Sequence, residues 1–412
     1  MGSGVRSPSV PPFAFATLKV DESDLNPFKR VYKPALKIAL ILILSFIGVE
    51  ILLIVLDPYF FKGRFEYDPE MGFKARAYYP NGAGSPGEEL TNRFGFNAPD
   101  FPLQKPPGTF RILFVGDSFG WAGGLNRNYT HLLQEMFDSR GGRRVEIINS
   151  GYPRTHTGEQ LIMLKNYGLQ YQPDLVVLGF FAGNDFIEAD PNRKRIIVND
   201  CYVDIDRRHE HRLFGYPIIA KSRVYLLLQQ KYEIYSMNKE ARKEAEEWAR
   251  STGQPVPKAN LSEDTFYSVQ RTKLEFFNTR TSEDHFRPNI EHIRRSIAEM
   301  DTLLKSKNIR FMVAIYPDEE QVSAPQFDAL VNRFQLSKED YDLNRAQDLL
   351  KSFLDANHIL YLDMLDRFRD EERQRDLYLW RNTHWNDAGN RLAAEMLFEY
   401  FNQHPDELNK SN

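Results

Sequence analysis

The chain has 412 residues, with 53 basic against 57 acidic side chains, a formal net charge of −4 and one cysteine, Cys201. That length holds one large domain or two ordinary ones, and the balanced charge gives no reason to expect a nucleic-acid partner. A lone cysteine excludes an internal disulfide and a cysteine-based zinc site, while leaving the compartment open.

Residues 1–32 carry Gly, Ser and Pro without periodicity and read as a flexible cytoplasmic tail. Ile38 to Leu56 is almost wholly apolar. At 1.5 Å per residue such a run matches a bilayer core of about 30 Å, so 33–57 reads as a single transmembrane anchor. Lys29, Arg30, Lys33 and Lys37 precede it, and Asp57, Lys62 and Arg64 follow. The denser positive flank stays in the cytoplasm, which places the rest of the chain on the extracytoplasmic side of the plasma or inner membrane. The long charged flank and the lack of an Ala-x-Ala site argue against a cleaved leader. Glu50 interrupts the run; it is either a protonated or interface-reaching carboxyl, or a contact to a second membrane helix.

Residues 58–108, rich in Gly, Pro, Asn and aromatics, read as an extended lead-in lying over the domain surface. Strand and helix patterns then alternate over 109–404. Strands are expected at Arg111–Val115, Arg144–Asn149, Leu175–Phe180, Ile309–Ile315 and Ile359–Leu362. Helices are expected near Tyr129–Phe137, from a capping box at Thr157 to Gln160 up to about Gly168, and over Ile290–Ser306, Leu343–Ala356 and Ala388–Phe401. That alternation predicts a parallel sheet with right-handed crossovers, covered on both faces. The pattern lapses over 201–286, which reads as an insertion; the charges of its segment Asn238–Arg250 fit a solvated helix. Thr252 to Asn260 reads as a loop, and 405–412 as a polar tail.

Polar clusters fall where strands end. The first is Gly116-Asp-Ser-Phe-Gly120, the second Asn149-Ser-Gly-Tyr-Pro-Arg154-Thr, the third Ala182-Gly-Asn-Asp185; before the last helix stands Arg381-Asn-Thr-His384-Trp-Asn386. A serine, a histidine and amide donors are the parts that acyl transfer needs: a nucleophile, a base and an oxyanion hole. Asp117, Asp185 and Asp363 read as structural carboxylates. His209 and His211 lack a third nearby ligand, so no metal site is expected there.

Taken together these blocks, with Asn92 to Phe96, resemble the SGNH/GDSL hydrolase family, in particular its membrane-anchored bacterial branch. The likeness spans roughly 92–188 and 287–402. It implies an α/β protein with a three-layer α/β/α, flavodoxin-like fold, acting on ester-linked acyl groups, often acetyl groups on sugars, with no metal or organic cofactor. By position it implies Ser118 as nucleophile and oxyanion donor, Asn184 as a side-chain donor to the same hole, and His384 as general base and then acid. The 151–154 loop would supply a further backbone donor, Gly151 or Arg154. Two positions depart from the family pattern. Asn382 stands where the orienting Asp is usual, and Arg154 where a glycine is usual. An Asp-to-Asn change at that place can cost about 10⁴ in turnover in a serine enzyme. The expected function is therefore a membrane-tethered esterase or O-acyltransferase on a glycan or similar ester. The alternative is a catalytically impaired relative that binds glycan or scaffolds an envelope assembly.

Overall fold

The computed structural model describes residues 26–80, 91–257 and 261–408. The chain divides into two units at the bond between Leu56 and Asp57. Residues 1–25 of the expected tail lie outside the described residues, but its end is helical. Helix α1 (Asn26–Phe60) starts earlier and ends later than the apolar run alone dictates. Its stretch Tyr32–Phe60 is long and apolar enough to cross a membrane.

The second unit begins with a hairpin, β1 (Phe65–Asp68) and β2 (Gly72–Ala75). The expected surface lead-in is instead part of the core, because its apolar side chains need cover: Met71, Phe73, Phe96 and Ala98 are buried. After it come β3 (Phe110–Val115), the short α2 (Gly124–Arg127), α3 (Tyr129–Arg140) and β4 (Val145–Asn149). Helix α4 (Thr157–Asn166), β5 (Leu175–Phe181) and α5 (Asp185–Glu188) complete the first half of the domain. The capping box of α4 sits one residue earlier than expected. His156 is the cap, its Nδ1 accepting from the Gly158 N–H, while Glu159 accepts from the His156 N–H.

The segment from Arg193 to Phe277 is the least regular in sequence, yet it is well structured. It forms β6 (Arg193–Val198) against β7 (Cys201–Asp206), then β8 (His211–Leu213) against β9 (Tyr216–Ile218). Two helices follow, α6 (Arg223–Thr252) and α7 (Glu263–Phe277). The alternating pattern resumes with α8 (Glu283–Ser306), β10 (Arg310–Tyr316), α9 (Glu319–Val322), α10 (Ala324–Phe334), α11 (Arg345–Ala356), β11 (Leu360–Asp363), α12 (Leu365–Glu372) and α13 (Asp387–Gln403). The polar tail is not wholly free of structure: Pro405–Leu408 forms a 3-10 turn with Leu408 buried.

The five expected strands form one parallel sheet in the order β11-β10-β5-β3-β4. Alternate side chains of each strand serve opposite faces. Leu113, Val115, Val176, Leu178 and Val313 pack with Leu161 and Leu164 of α4, Ile293 and Ile297 of α8, and Leu354 of α11. Ile112, Phe114, Val177 and Ala314 pack with Leu133 and Phe137 of α3, Phe368 of α12, and Leu397 of α13. These are three layers, α/β/α. The chain leaves β3 toward one edge to make β4, then returns past β3 to make β5 and continues to the other edge. Such a reversal opens a crevice at the carboxyl ends of β3 and β5, where sheets of this kind hold their ligands.

Candidate active site

Ser118 stands where β3 ends, at the start of a 3-10 turn, Ser118–Gly120. Asp117 caps that turn, its Oδ1 accepting from the Phe119 N–H at 3.0 Å. The Ser118 N–H is in the first turn, where no intrahelical acceptor exists, and is therefore suited to an incoming oxyanion. Two asparagines hold the turn from behind. Asn149 Nδ2 donates to the Gly120 carbonyl at 2.6 Å and Asn97 Nδ2 to the same oxygen at 3.0 Å. A side chain at Gly120 would meet Asn149 Oδ1 and the Gly151 Cα, both at 2.8 Å, so the turn has room for glycine alone.

His384 comes from the loop between α12 and α13. Its neighbour Trp385 is fully buried, with ring centroids 4.6 Å from Phe119, 5.0 Å from Tyr316 and 5.1 Å from Phe368. That aromatic anchor brings the imidazole to Ser118 although 266 residues separate them, with His384 Nε2 and Ser118 Oγ 2.8 Å apart. Asn382 Oδ1 lies 2.7 Å from His384 Nδ1. A carboxamide oxygen can only accept, so Nδ1 carries the proton and Nε2 is left with its lone pair toward the serine hydroxyl. Burial, with the Lys273 ammonium adding to it and the Asp318 carboxylate opposing, pushes the imidazole down to about 4. The ring is thus a neutral base over the physiological range. No carboxylate lies at Asn382 to stabilise the imidazolium that proton transfer creates.

Asn184 opens α5, just beyond β5, beside the serine strand. Its side chain makes no capping hydrogen bond, and Oδ1 is buried without a hydrogen-bond partner among the described residues, so the amide is not consumed by the helix end. Asp185 holds the preceding turn, Oδ2 accepting from the Phe181 N–H. Burial raises Asp117 to about 7, with the Phe119 N–H opposing and the Glu188 carboxylate adding to the rise. An acceptor bound to its own turn in this way braces the loop.

The 151–154 loop divides the two remaining candidates. Gly151 does not offer a free donor, because its N–H is given to Asn149 Oδ1 at 3.0 Å. Arg154 adopts φ +64°, the left-handed conformation that explains the family's glycine at this place. Its guanidinium turns away over the Tyr202 ring at 4.6 Å, and its carbonyl accepts from Arg195.

Sequence reasoning passed over the residues that hold the histidine loop from outside. Arg381 extends from that loop to Glu244 of α6 and Glu263 of α7, and it covers the Trp380 ring at 4.5 Å. Trp380 packs on Trp248 of α6, with centroids 5.1 Å apart. The charged segment Asn238–Arg250 is therefore not merely a solvated face: Glu244 and Trp248 brace the loop that carries His384. An arginine two residues before Thr383 and three before His384 was the available signal, but its partners are remote in sequence.

Residues 276–412 match the family model described as the SGNH hydrolase-like domain of acetyltransferase AlgX, a stretch that contains Asn382 and His384 and stops short of Ser118 and Asn184. That stretch, about a third of the chain, is thus similar to an SGNH hydrolase-like domain. Solved structures similar to it include the acetyl xylan esterase AlAXEase, at 16% identity over 71% of this chain and 99% of that one with a TM-score of 0.37. A lipase/acylhydrolase from Enterococcus faecalis is similar at 13% identity over 74% and 99%, TM-score 0.38. The esterase EstA from Pseudoalteromonas sp. is similar at 10% identity over 72% and 98%, TM-score 0.34. No curated protein sequence matches the chain.

Proposed function

We propose that the protein is a membrane-tethered serine esterase or O-acyltransferase that acts, on the extracytoplasmic side, on ester-linked acyl groups of a glycan, acetyl groups foremost. The observation that carries this reading is the bonded row Ser118–His384–Asn382, with contacts of 2.8 and 2.7 Å. Ser118 Oγ attacks the acyl carbonyl carbon while His384 Nε2 takes the hydroxyl proton. The Ser118 N–H and the Asn184 side-chain amide receive the oxyanion, with the Arg154 N–H as a third donor from the adjoining loop. Collapse of the tetrahedral intermediate expels the sugar alkoxide, which takes its proton from His384 and leaves an acyl-serine. Water then releases the acid, or a second sugar hydroxyl accepts the acyl group. The two outcomes share their first half-reaction, and no step calls on a metal or organic cofactor. The acetyltransferase description of the matching family supports acetyl as the group moved. Helix α1 and its basic N-terminal flank support the tether, and Glu50 within it is a candidate contact for a second membrane helix.

Asn382 and the low-lying imidazole favour a second reading, a catalytically impaired glycan-binding or scaffold protein. The full chain in detergent separates the two. The enzyme reading expects labelling by a serine-directed fluorophosphonate and turnover of short acyl esters, both lost in Ser118→Ala. An unlabelled, inactive wild-type chain would overturn it.

A further inference from the structure

The β8–β9 hairpin turns through two residues, Phe214 and Gly215, with φ of +49° and +83°. Positive φ at both places suits the twist of a two-residue hairpin, but the first place ordinarily takes Asn, Asp or Gly. Here it holds a phenylalanine whose surface is 93% exposed. Strained backbone and a bare aromatic ring together do nothing for the fold, which is how a functional position announces itself. Leu213, Tyr216 and Ile218 around it are also exposed.

The position of the hairpin says what covers it. A groove of about 470 Å³ has Asp57, Pro58 and Phe61 in its lining together with Phe214, Gly215, Tyr216 and Pro217. Asp57 is the residue that ends the apolar run. It pairs with Arg223 at 2.8 Å, and Arg223 donates to the Pro217 carbonyl at 3.1 Å. The hairpin is therefore chained to the residue at the membrane exit. Tyr59 and Phe60, in the same last helical turn, are exposed, as are the cations Lys62, two residues further on, Lys221, three residues after β9, and Arg212 of β8, which pairs with Glu210. Aromatic rings with flanking cations are the composition of a membrane–water interface.

We infer that the β8–β9 hairpin is a second contact with the lipid surface, the Phe214 ring entering the headgroup region of the leaflet from which α1 emerges. This rests on the tethered reading proposed above. Two contact points would restrain the domain's tilt, which a single helix followed by a free linker cannot do.

The test uses the full chain carrying Cys201→Ser, reconstituted in phosphatidylethanolamine/phosphatidylglycerol vesicles, with an environment-sensitive fluorophore on Phe214→Cys or, as control, on the exposed loop residue Val256→Cys. The inference expects the 214 probe to shift to the blue and to lose most of its emission to lipids spin-labelled near the headgroup, with the 256 probe unaffected. A 214 probe that stays water-like in vesicles that carry the protein overturns the hairpin contact alone. A blue shift that needs high protein density and is insensitive to the spin-labelled lipid assigns the surface to a second copy and also overturns it. A chain that fails to float with the vesicles overturns the tether and the hairpin contact together.

Discussion

Asn382 Oδ1 and His384 Nδ1, 2.7 Å apart, form a hydrogen bond that fixes the tautomer of the His384 imidazole without supplying a charge. Orientation and charge stabilisation, two tasks that a single aspartate performs elsewhere, are here separated. Asn382→Asp restores the second task. We expect turnover of a short acyl ester to rise, by anything up to about 10⁴-fold. The new carboxylate favours imidazolium, so the His384 pKa climbs from about 4 and the acid limb of the rate profile moves to higher pH. Unchanged turnover together with an unmoved limb would mean that another group already performs the aspartate's task.

The same depressed imidazole has a consequence for folding. In the unfolded chain His384 titrates near its ordinary 6.5, and in the folded one near 4. Between those values the unfolded state binds more protons, so stability is present above pH 6.5 and is lost as pH falls through about 4. His384→Gln removes that titration. Its unfolding free energy, measured by denaturant across this window, should fall less steeply with acidification than the wild type's; parallel curves would refute the assignment.

Arg381 joins the histidine loop to two helices of the 201–286 insertion, through Glu244 and Glu263. Its backbone φ of +46° is a further cost that those pairs offset. Arg381→Met should take the cation from Glu244, leave Glu263 to Arg333, and let the loop drift. A displacement of the base by about 1 Å can cost about 10²-fold in rate, so kcat should fall between tenfold and that limit while KM for a small ester changes little. Glu244→Gln should give a milder version of the same defect. Wild-type kcat in both variants would show that Trp385 alone holds the loop.

At Arg154 the chain keeps a left-handed backbone, φ +64°, under a side chain that does not favour it. Arg154→Gly relieves about 1–2 kcal/mol of that strain, but it also loosens the unfolded chain by about 0.4–1 kcal/mol and gives up the stacking on Tyr202. The sum should lie within about 1 kcal/mol of the wild type. Arg154→Val cannot adopt the conformation readily and should cost about 1–3 kcal/mol. Thermal unfolding of the pair distinguishes this from an arginine whose charge is what matters, in which case both variants would fall alike.

The sheet and the polar groups that meet at its carboxyl edge were legible because each is written locally. An apolar run such as Leu175–Phe180 declares a buried strand, and a serine or asparagine placed after such a run falls at the sheet's carboxyl edge by topology alone. Long-range partners leave no such mark. Glu244 looks like any other charge on a solvated helix until Arg381, 137 residues away, is seen beside it. Asn97 looks like a loop residue until its amide meets the Gly120 carbonyl. The His156 cap escaped because histidine is an uncommon N-cap, and Thr157 offered the commoner pattern one residue later. β8 and β9 escaped because three-residue strands are too short to show a period.

Arg111 lies on β3, the strand that leads to Ser118, fully buried, and is the feature whose loss the fold should tolerate least. Its Nε donates to Glu146 at 2.7 Å, Nη1 to the Tyr171 carbonyl at 2.6 Å, and Nη2 to the Pro102 carbonyl at 2.7 Å. One guanidinium thus ties β3 to β4, to the turn before β5 and to the segment that leads into the domain. Arg111→Met keeps most of the volume but leaves Glu146, nearly as deeply buried, with only the exposed Arg144 as a charge partner among the described residues. Breaking a buried pair from one side costs about 3–5 kcal/mol, chiefly for the charge left behind. Denaturant unfolding of Arg111→Met should show that loss, and Arg111→Met/Glu146→Leu, which removes both charges, should recover much of it. A double variant as unstable as the single one would mean that the carbonyl bonds, rather than the ion pair, are what the strand depends on.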